Sequence, residues 1–172
     1  MSVKKILIEP NKLLRQISKP VENVGEEERM LMDDMLDTMY DAPGIGLAAI
    51  QIGVPKRIIV MDISRDENKK EPRYFVNPIV KNKNEEKSRY EEGCLSVPDQ
   101  FAEIERPNTC EVEYLDYDGK KKILKADGLL ATCIQHEMDH LEGILFIDYL
   151  SKLKKSMIIK KLSKNKVNRE IL

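Results

Sequence analysis

The residues best suited to catalysis lie in one short segment, QHEMDHLEG at 135–143. The chain has only two histidines, His136 and His140, and Glu137 directly follows the first. On an α-helix, residues i and i+4 lie about 40° apart around the axis and ~6 Å apart along it, so both imidazoles can bind one metal ion. Glu137 projects about 100° away and can reach a water in an open coordination position. The pattern predicts a metal site with an adjacent general base.

A catalytic site of this kind usually has three protein ligands and one water, so a third ligand must come from elsewhere. Cys133 lies about two turns from His140, and its short side chain would be strained as a co-ligand, so we expect it to line a pocket. Cys94 is the better candidate, because Gly93 in EGCLSVP permits unusual backbone angles and a proline closes the segment. The alternatives are a buried cysteine without a ligand role and a pair of surface histidines.

A glycine-containing segment, GIGLAAIQIGVP, begins at Gly44 and matches the G-x-G-x-x-A pattern of dinucleotide sites. That pattern requires a preceding strand and a following helix, whereas here a helix precedes and Gly53-Val54-Pro55 leaves no room for another, so we do not expect nucleotide binding. The segment instead offers backbone hydrogen-bonding groups to a peptide-like substrate. Gln51 can donate to a carbonyl oxygen on which negative charge develops. A strand residue without that role is the alternative for Gln51.

Periodicity indicates the elements that position these residues. Apolar residues at helical spacing predict a helix over Glu26–Asp41, with three glutamates at its positive end. Strand-like runs occupy 57–63 and 74–80, and a polar loop rich in lysine and glutamate follows them. Alternating residues around Asp118-Gly119, a pair typical of a tight type I′ turn, predict a hairpin. These elements place a mainly β region between the first helix and the histidines.

The histidine segment itself is predicted to be helical. Asp127 can cap this helix, and Gly143 is placed to end it. A final amphipathic helix is expected at about 151–168, with Leu153, Met157, Ile158 and Leu162 on its apolar face. Residues 151–172 hold eight Lys or Arg and one Glu, whereas residues 1–150 hold 21 basic and 29 acidic side chains. The charge asymmetry therefore lies in one terminal segment.

Composition bounds the class of protein. With 172 residues, 41% hydrophobic and 34% charged, the chain is typical of a single globular domain over 1–172. The apolar run at the N-terminus is interrupted by Glu9 and Pro10 and is too short for a signal peptide, so we expect a cytoplasmic protein without a membrane span. Three irregularly spaced cysteines favour reduced thiols over disulfides.

Three blocks occur in order: GIGLAAIQIG, EGCLSVP and QHEMDHLEG. Together they closely resemble the signature motifs of the peptide deformylase family, which removes the formyl group from the N-terminal methionine of nascent polypeptides. The resemblance extends over nearly the whole chain. With the elements above, it implies an α+β fold in which mainly antiparallel β-sheets pack around a central metal-binding helix, flanked by an N-terminal and a C-terminal helix.

The resemblance also implies roles for individual residues. The metal ligands would be Cys94, His136 and His140. Glu137 would be the general acid/base, and Gln51 and the backbone N–H of Leu95 would hold the formyl oxygen. Ile45, Gly46 and Gly93 would bond the substrate backbone, and Leu129 and Cys133 would wall a pocket for the methionine side chain. Glu92, Arg106 and Asp139 would support these residues. Phe101 departs from the family pattern, since some bacterial members carry arginine there.

The implied cofactor is one divalent ion per chain, Fe²⁺ foremost, with Zn²⁺, Ni²⁺ or Co²⁺ able to bind the same ligands. The implied partners are a formyl-methionyl peptide and, through the basic C-terminal helix, the ribosome near the nascent-chain exit. No sequence-specific nucleic acid binding is expected. Two alternatives remain, a zincin-like metallopeptidase that would not depend on Cys94 and a structural metal-binding module without an open water position.

Overall fold

The structure, a computed structural model, describes residues 2–64 and 66–171 and contains α-helices and β-strands in that part of the chain. The helices are α1 (Glu26–Asp41), α2 (Gly128–Leu141) and α3 (Lys152–Ile171). The strands are β1 (Gly46–Ala48), β2 (Ile58–Met61), β3 (Arg73–Lys83), β4 (Lys87–Cys94), β5 (Val97–Pro107), β6 (Thr109–Leu115) and β7 (Lys121–Asp127). Short 3-10 turns occur at Lys12–Arg15, Ala49–Ile52 and Phe146–Tyr149. The predicted α+β class is confirmed.

The strands form two antiparallel sheets, one in the order β1-β2-β3-β6-β7 and one of β4 and β5. Strand β2 shows how the larger sheet is covered. Ile58 and Val60 belong to an apolar cluster with the methionines of α1, whereas Ile59 and Met61 belong to a cluster with α2. Because successive side chains in a strand point to opposite faces, α1 and α2 lie on opposite sides of this sheet. The continuous apolar run of β2 is explained by burial on both faces.

Helix α1 has the predicted bounds. It is preceded by a single 3-10 turn, Lys12–Arg15, which is the first helical element among the described residues. At its start, the Glu28 carboxylate accepts a hydrogen bond from the backbone N–H of Gly25 at 3.0 Å. The buried stripe consists of Met32, Met35 and Met39. Met30, another apolar residue of this helix, is instead 61% exposed.

Helix α2 begins after Asp127 and ends where Gly143 was expected to end it. Asp127 occupies the N-cap position, but its side chain makes no capping hydrogen bond. At the other end, Gly143 has φ +73°, and the N–H groups of Gly143 and Ile144 bond the carbonyls of His140 and Asp139 at 3.1 and 2.9 Å. These two bonds define a Schellman motif. A side chain at Gly143 would also collide with the carbonyl of Arg15.

Two local predictions in the β region are wrong. The β6–β7 hairpin is present, but its loop spans 116–120 instead of two residues, and among its residues only Gly119 has a positive φ, +82°. The Asp116 carboxylate accepts hydrogen bonds from the N–H groups of Asp118 and Lys120, which stabilises the longer loop. The predicted polar loop after residue 80 is largely strand, since β3 continues to Lys83 and β4 starts at Lys87.

Helix α3 packs against the β4–β5 side of the molecule through one face only. Ile158, Ile159 and the 2%-exposed Leu162 join an apolar cluster with Val97 and Phe146. Leu153 and Met157 are 71% and 51% exposed, so the prediction that they pack on the body is wrong. Side chains of 166–171, including part of the predicted basic tail, lie outside the described residues. None of the described helices is long and apolar enough to cross a membrane.

Candidate active site

A cleft of about 650 Å³ lies where the segment leading into β1, the β4–β5 turn and α2 meet. Its walls include ten of the eleven residues predicted for the site. Those lining it are Ile45, Gly46, Gln51, Gly93, Cys94, Leu95, Leu129, Cys133, His136 and Glu137. His140, the eleventh, is fully buried and does not line the cleft. Its Nε2 lies 3.4 Å from the sulfur of Cys94, which does. All eleven predicted site residues are therefore brought together.

Cys94, His136 and His140 form a group that could hold a metal ion. One donor atom from each, the thiol sulfur and an imidazole nitrogen of each histidine, lies within 4.8 Å of the other two. Cys94 ends β4, and the histidines lie one turn apart on α2. A thiolate with two imidazoles is a donor set that suits Zn²⁺, Fe²⁺, Co²⁺ and Ni²⁺. The donor set therefore fits a transition metal.

Cys133 lies on the same cleft but outside this group. Its sulfur is 4.0 Å from the carbonyl oxygen of Ile45, and burial raises its pKa well above the ordinary value. A thiol in that state is neither a good ligand nor a reactive nucleophile. Its placement agrees with the expectation that it lines a pocket.

The two histidines occupy different electrostatic environments. Although burial opposes it, hydrogen bonds with Cys94 and Glu92 raise the pKa of His136. Its Nδ1 lies 2.8 Å from a Glu92 oxygen, so Nδ1 holds a proton against that carboxylate, and Nε2 is the nitrogen that would bind an ion on losing its own proton. Burial and the neighbouring His136 lower the pKa of His140 well below the ordinary value, which keeps this imidazole neutral. Each ring can thus offer a nitrogen lone pair to an ion.

A buried network of charges holds His136 in place. Arg106 donates two hydrogen bonds to the Glu92 carboxylate, at 2.7 and 3.0 Å, and a third to Asp139 at 2.9 Å. Tyr149 donates to the same Asp139 oxygen at 2.7 Å, and its ring centroid is 5.1 Å from the Arg106 guanidinium carbon. Arg106 and Glu92 are each only about one-twentieth exposed. Their bidentate pairing therefore fixes the carboxylate that orients His136.

Glu137 is buried beside this centre with one carboxylate oxygen unpaired among the described residues. Burial raises its pKa to about 7. Gly46 leaves the space that the carboxylate occupies, because a Cβ there would lie 2.5 Å from Oε1 of Glu137. A carboxylate of near-neutral pKa in a cleft has the properties of a general acid/base.

The side-chain amide of Gln51 is held in one orientation. The N–H of Ala48 donates to Oε1 at 2.9 Å, so the amide nitrogen must face the cleft. That nitrogen lies 3.1 Å from the Ser96 hydroxyl and 3.5 Å from the Cys94 sulfur. The amide donor is therefore directed at the centre formed by Cys94 and the histidines.

Three supporting residues were missed by sequence reasoning. Ser96 contacts Gln51, Tyr149 contacts Asp139, and the Phe146 ring stacks on His136 with centroids 6.1 Å apart. Ser96 lies inside the EGCLSVP block and was therefore open to selection. Tyr149 and Phe146 lie in a 3-10 turn after α2, and no spacing rule connects that turn to the site.

The rim of the cleft offers backbone groups and one exposed aromatic ring. Strand β1 is an edge strand of the larger sheet, so one side of it has no strand partner and can pair with an extended chain, although the N–H of Ala48 already donates to Gln51. Across the cleft, Phe101 is 64% exposed and lies against Gly93, where a Cβ would be 2.6 Å from the ring. Glycine at 93 therefore permits this close approach.

Comparison with known proteins gives consistent matches. The family model described as polypeptide deformylase matches residues 3–156. The chain is 88% identical to a peptide deformylase of Pelagibacter ubique (strain HTCC1062) over 172 residues, all of both chains. It is 57% identical to one of Rhizobium meliloti (strain 1021) over 164 residues, covering 95% of this chain and 94% of the relative.

Solved structures show the same likeness. The crystal structure of peptide deformylase from Ehrlichia chaffeensis superposes with a TM-score of 0.91 at 43% identity, covering 96% of this chain and 97% of that chain. The structure of the same organism's enzyme in complex with actinonin also gives a TM-score of 0.91, at 46% identity, covering 96% and 98% of the two chains. The likeness therefore extends over both sheets and the helices.

Proposed function

We propose roles for the residues of this cleft from the premise that the chain belongs to the peptide deformylase family. The protein is a metal-dependent hydrolase that removes the N-formyl group from the N-terminal formyl-methionine of nascent polypeptides and releases formate. The observation that carries the assignment of roles is the convergence of one thiol and two helix imidazoles beside a buried glutamate in a cleft. We take residues 1–172 as a single catalytic domain with a basic C-terminal helix.

Cys94, His136 and His140 are proposed as the metal ligands, and Fe²⁺ as the ion. The donor set also accommodates Zn²⁺, Ni²⁺ or Co²⁺. When bound, the ion supplies an electrophilic centre that polarises a carbonyl and acidifies water. If the ion is Fe²⁺, activity should decay in air and persist without oxygen, whereas nickel-loaded protein should keep its activity in air. Equal decay of both forms would contradict iron.

Glu137 is proposed as the general acid/base. One oxygen of its buried carboxylate has no hydrogen-bond partner in the described part of the chain, and the group can accept a proton from the attacking water and return it to the departing amine. The raised pKa suits both steps near neutral pH, because a group must be deprotonated to act as base and must then hold the proton. The products are formate and a free N-terminal methionine.

The negative charge that develops on the formyl oxygen needs hydrogen-bond donors. The Gln51 amide, fixed by Ala48, is one proposed donor, and the backbone N–H of Leu95 in the β4–β5 turn is the other. Donors fixed before the reaction stabilise the transition state without reorganising. Ser96 positions Gln51 through its hydroxyl contact.

The peptide is proposed to lie along β1 as an added strand. Ile45, Gly46 and Gly93 would bond its backbone, and Leu129 and Cys133 would wall the pocket that takes the methionine side chain. The free edge of β1 supports this placement, because main-chain bonds to an edge strand recognise any peptide sequence. The exposed Phe101 offers an apolar surface to residues after the methionine.

The decisive assay is formate release from a short formyl-methionyl peptide by metal-loaded protein. The matched control is the same peptide with an acetyl group in place of formyl. The acetyl group should be removed far more slowly. Cleavage inside the peptide, without formate, would identify a zincin-like peptidase. Metal binding without either product would identify a structural metal-binding module.

We also propose a cytoplasmic location and docking of α3 on the ribosome near the nascent-chain exit. The exposed side of α3 carries Leu153, Met157 and several lysines, whereas its opposite side is packed on the body. A polyanionic surface attracts a basic helix while repelling the acidic remainder of the chain, which orients the enzyme.

A further inference from the structure

The imidazole of His140 has one nitrogen without a hydrogen-bond partner. The residue is fully buried, and its Nδ1 makes no hydrogen bond to any residue that the structure describes. The other nitrogen, Nε2, lies 3.4 Å from the Cys94 sulfur and therefore faces the ligand group. A neutral imidazole that offers Nε2 to an ion carries its proton on Nδ1. The Nδ1–H group of His140 therefore needs an acceptor, as that of His136 has in Glu92.

Glu9 is a buried carboxylate with an unused acceptor. The residue is 6% exposed and lies in the segment that precedes α1. Its Oε1 accepts a hydrogen bond from Arg15 at 3.2 Å, whereas its Oε2 has no hydrogen-bond partner in the described part of the chain. A carboxylate oxygen left buried and unpaired is costly. Glu9 and His140 thus present a buried acceptor and a buried donor that each lack a partner.

Glu9 is held behind the ligand group from two sides. Its backbone N–H donates at 2.9 Å to the carbonyl of Ser96, two residues after the ligand cysteine. Its partner Arg15 donates at 3.2 Å to the carbonyl of Gly143, three residues after His140. Burial is the main cause of the lowered pKa of His140, and the positive charge of Arg15 is a further one. Glu9 is therefore anchored to both elements that supply ligands, the β4–β5 turn and the end of α2.

We propose that Glu9 is a positioning residue whose Oε2 accepts the Nδ1–H of His140 through one ordered water. The two atoms make no direct hydrogen bond, and a single bridging water satisfies both. The arrangement repeats the one behind His136, where Arg106 holds Glu92 and Glu92 holds the imidazole. The inference rests on the proposed function, because it requires His140 to bind an ion.

The first measurement is the affinity of the full-length protein for Zn²⁺, determined by competition with a chromogenic chelator. Glu9→Gln should bind Zn²⁺ about 10-fold more weakly, the lower end of the range for groups that orient a metal ligand. Arg15 takes the single oxygen of the new amide, which leaves an N–H donor facing the water. Asp148→Asn is the matched control, because Asp148 is the other carboxylate that accepts from Arg15, at 2.6 Å. Its affinity for Zn²⁺ should stay close to that of wild-type protein.

The second measurement reports on the His140 proton directly. The chain has two histidines, so zinc-loaded protein labelled with ¹⁵N-histidine should give two downfield imidazole N–H signals. The signal of His136 is identified by its response to Glu92→Gln, since Glu92 is its acceptor. Glu9→Gln should shift or broaden only the other signal, that of His140. Asp148→Asn should leave both signals in place. A residue that merely stabilises the fold would not act on one imidazole proton.

Three results would overturn the inference. The first is wild-type affinity for Zn²⁺ in Glu9→Gln, and the second is a His140 N–H signal that this substitution leaves unchanged. The third is equal weakening in Glu9→Gln and Asp148→Asn, which would assign the effect to loss of a partner for Arg15. If wild-type protein binds no Zn²⁺, the proposed ligand group itself fails, and the two failures are thereby distinguished.

Discussion

Helices α2 and α3 are both rich in polar residues, but they place them in opposite environments. On α2, the side chains of Gln135, His136, Glu137 and His140 are all buried. On α3, the described lysines are exposed, apart from the half-buried Lys155. A buried polar group is tolerated only where a partner or a ligand accepts it, whereas an exposed charge is satisfied by water. The polar residues of α2 therefore depend on specific neighbouring groups, whereas the lysines of α3 are solvated and act through their combined positive charge.

The contrast explains why one helix was easier to predict than the other. The spacing of His136 and His140 requires a common helix face, and the structure has it. Of the four apolar residues expected on one face of α3, Ile158 and Leu162 are packed on the body, whereas Leu153 and Met157 are exposed. A surface helix tolerates exposed apolar residues, so its periodicity constrains the packed face weakly.

The strongest test of the α2 centre is removal of one sulfur at a time. Cys94→Ser should lose the metal, and deformylation should fall by about 10³-fold or more, since a bound ion contributes several kcal/mol to transition-state stabilisation. Cys133→Ser, the matched control from the same cleft, should keep the metal. Bound metal is measured after dialysis against a weak chelator. Loss of metal from Cys133→Ser with retention in Cys94→Ser would reverse the assignment.

The next test separates binding from chemistry. Glu137→Gln should keep its metal and lose activity by about 10²-fold or more, because an amide can bond the water but cannot accept its proton. Glu142→Gln is a control at the end of the same helix, where the side chain is exposed and pairs with Arg57 at 2.8 Å. The measurement is kcat at equal metal loading. Near-normal kcat in Glu137→Gln would remove Glu137 from the mechanism.

The charge network behind His136 allows a stability test. Arg106→Met leaves Glu92 buried without its bidentate partner, so the free energy of unfolding should fall by about 3 kcal/mol. Arg89→Met is the matched control, because Arg89 pairs with Glu105 at 2.6 Å on the exposed side of β4 and β5. Its effect should be much smaller, since water replaces an exposed partner. Denaturant unfolding of metal-loaded protein measures both, and equal losses would show that burial does not decide the effect.

Prediction from sequence was reliable where one local rule acts without competition. The bounds of α1 and the Schellman end of α2 at Gly143 are of this kind, whereas most of the eleven site residues were predicted from the family resemblance. Asp118-Gly119 predicted a two-residue turn, but the Asp116 carboxylate offered a competing set of hydrogen bonds and lengthened the loop. Propensity was therefore overridden by a side chain two residues away.

The residues that sequence reasoning missed depend on tertiary contact. Tyr149 reaches Asp139 because the chain turns back after α2, and Ser96 reaches Gln51 across 45 positions of sequence. The polar run that was predicted to be a loop is largely strand because β3 pairs with β6, which lies beyond β4 and β5 in the chain, and β4 pairs with β5. Such pairings contribute nothing to local periodicity, so one sequence could not have indicated them.

The smallest effect on catalysis is expected from changes on α3. A variant with Lys154, Lys160 and Lys161 replaced by serine keeps the buried Leu162, which truncation after Lys160 would remove. It should release formate from a short peptide at the wild-type rate and co-sediment less with ribosomes. Each lost phosphate contact should also lower the slope of log affinity against log salt by about 0.7–0.9. The matched control replaces exposed Lys5, Lys120 and Lys121, which changes net charge equally on the body. Equal sedimentation of the two variants would reject docking through α3 and leave only a general effect of charge.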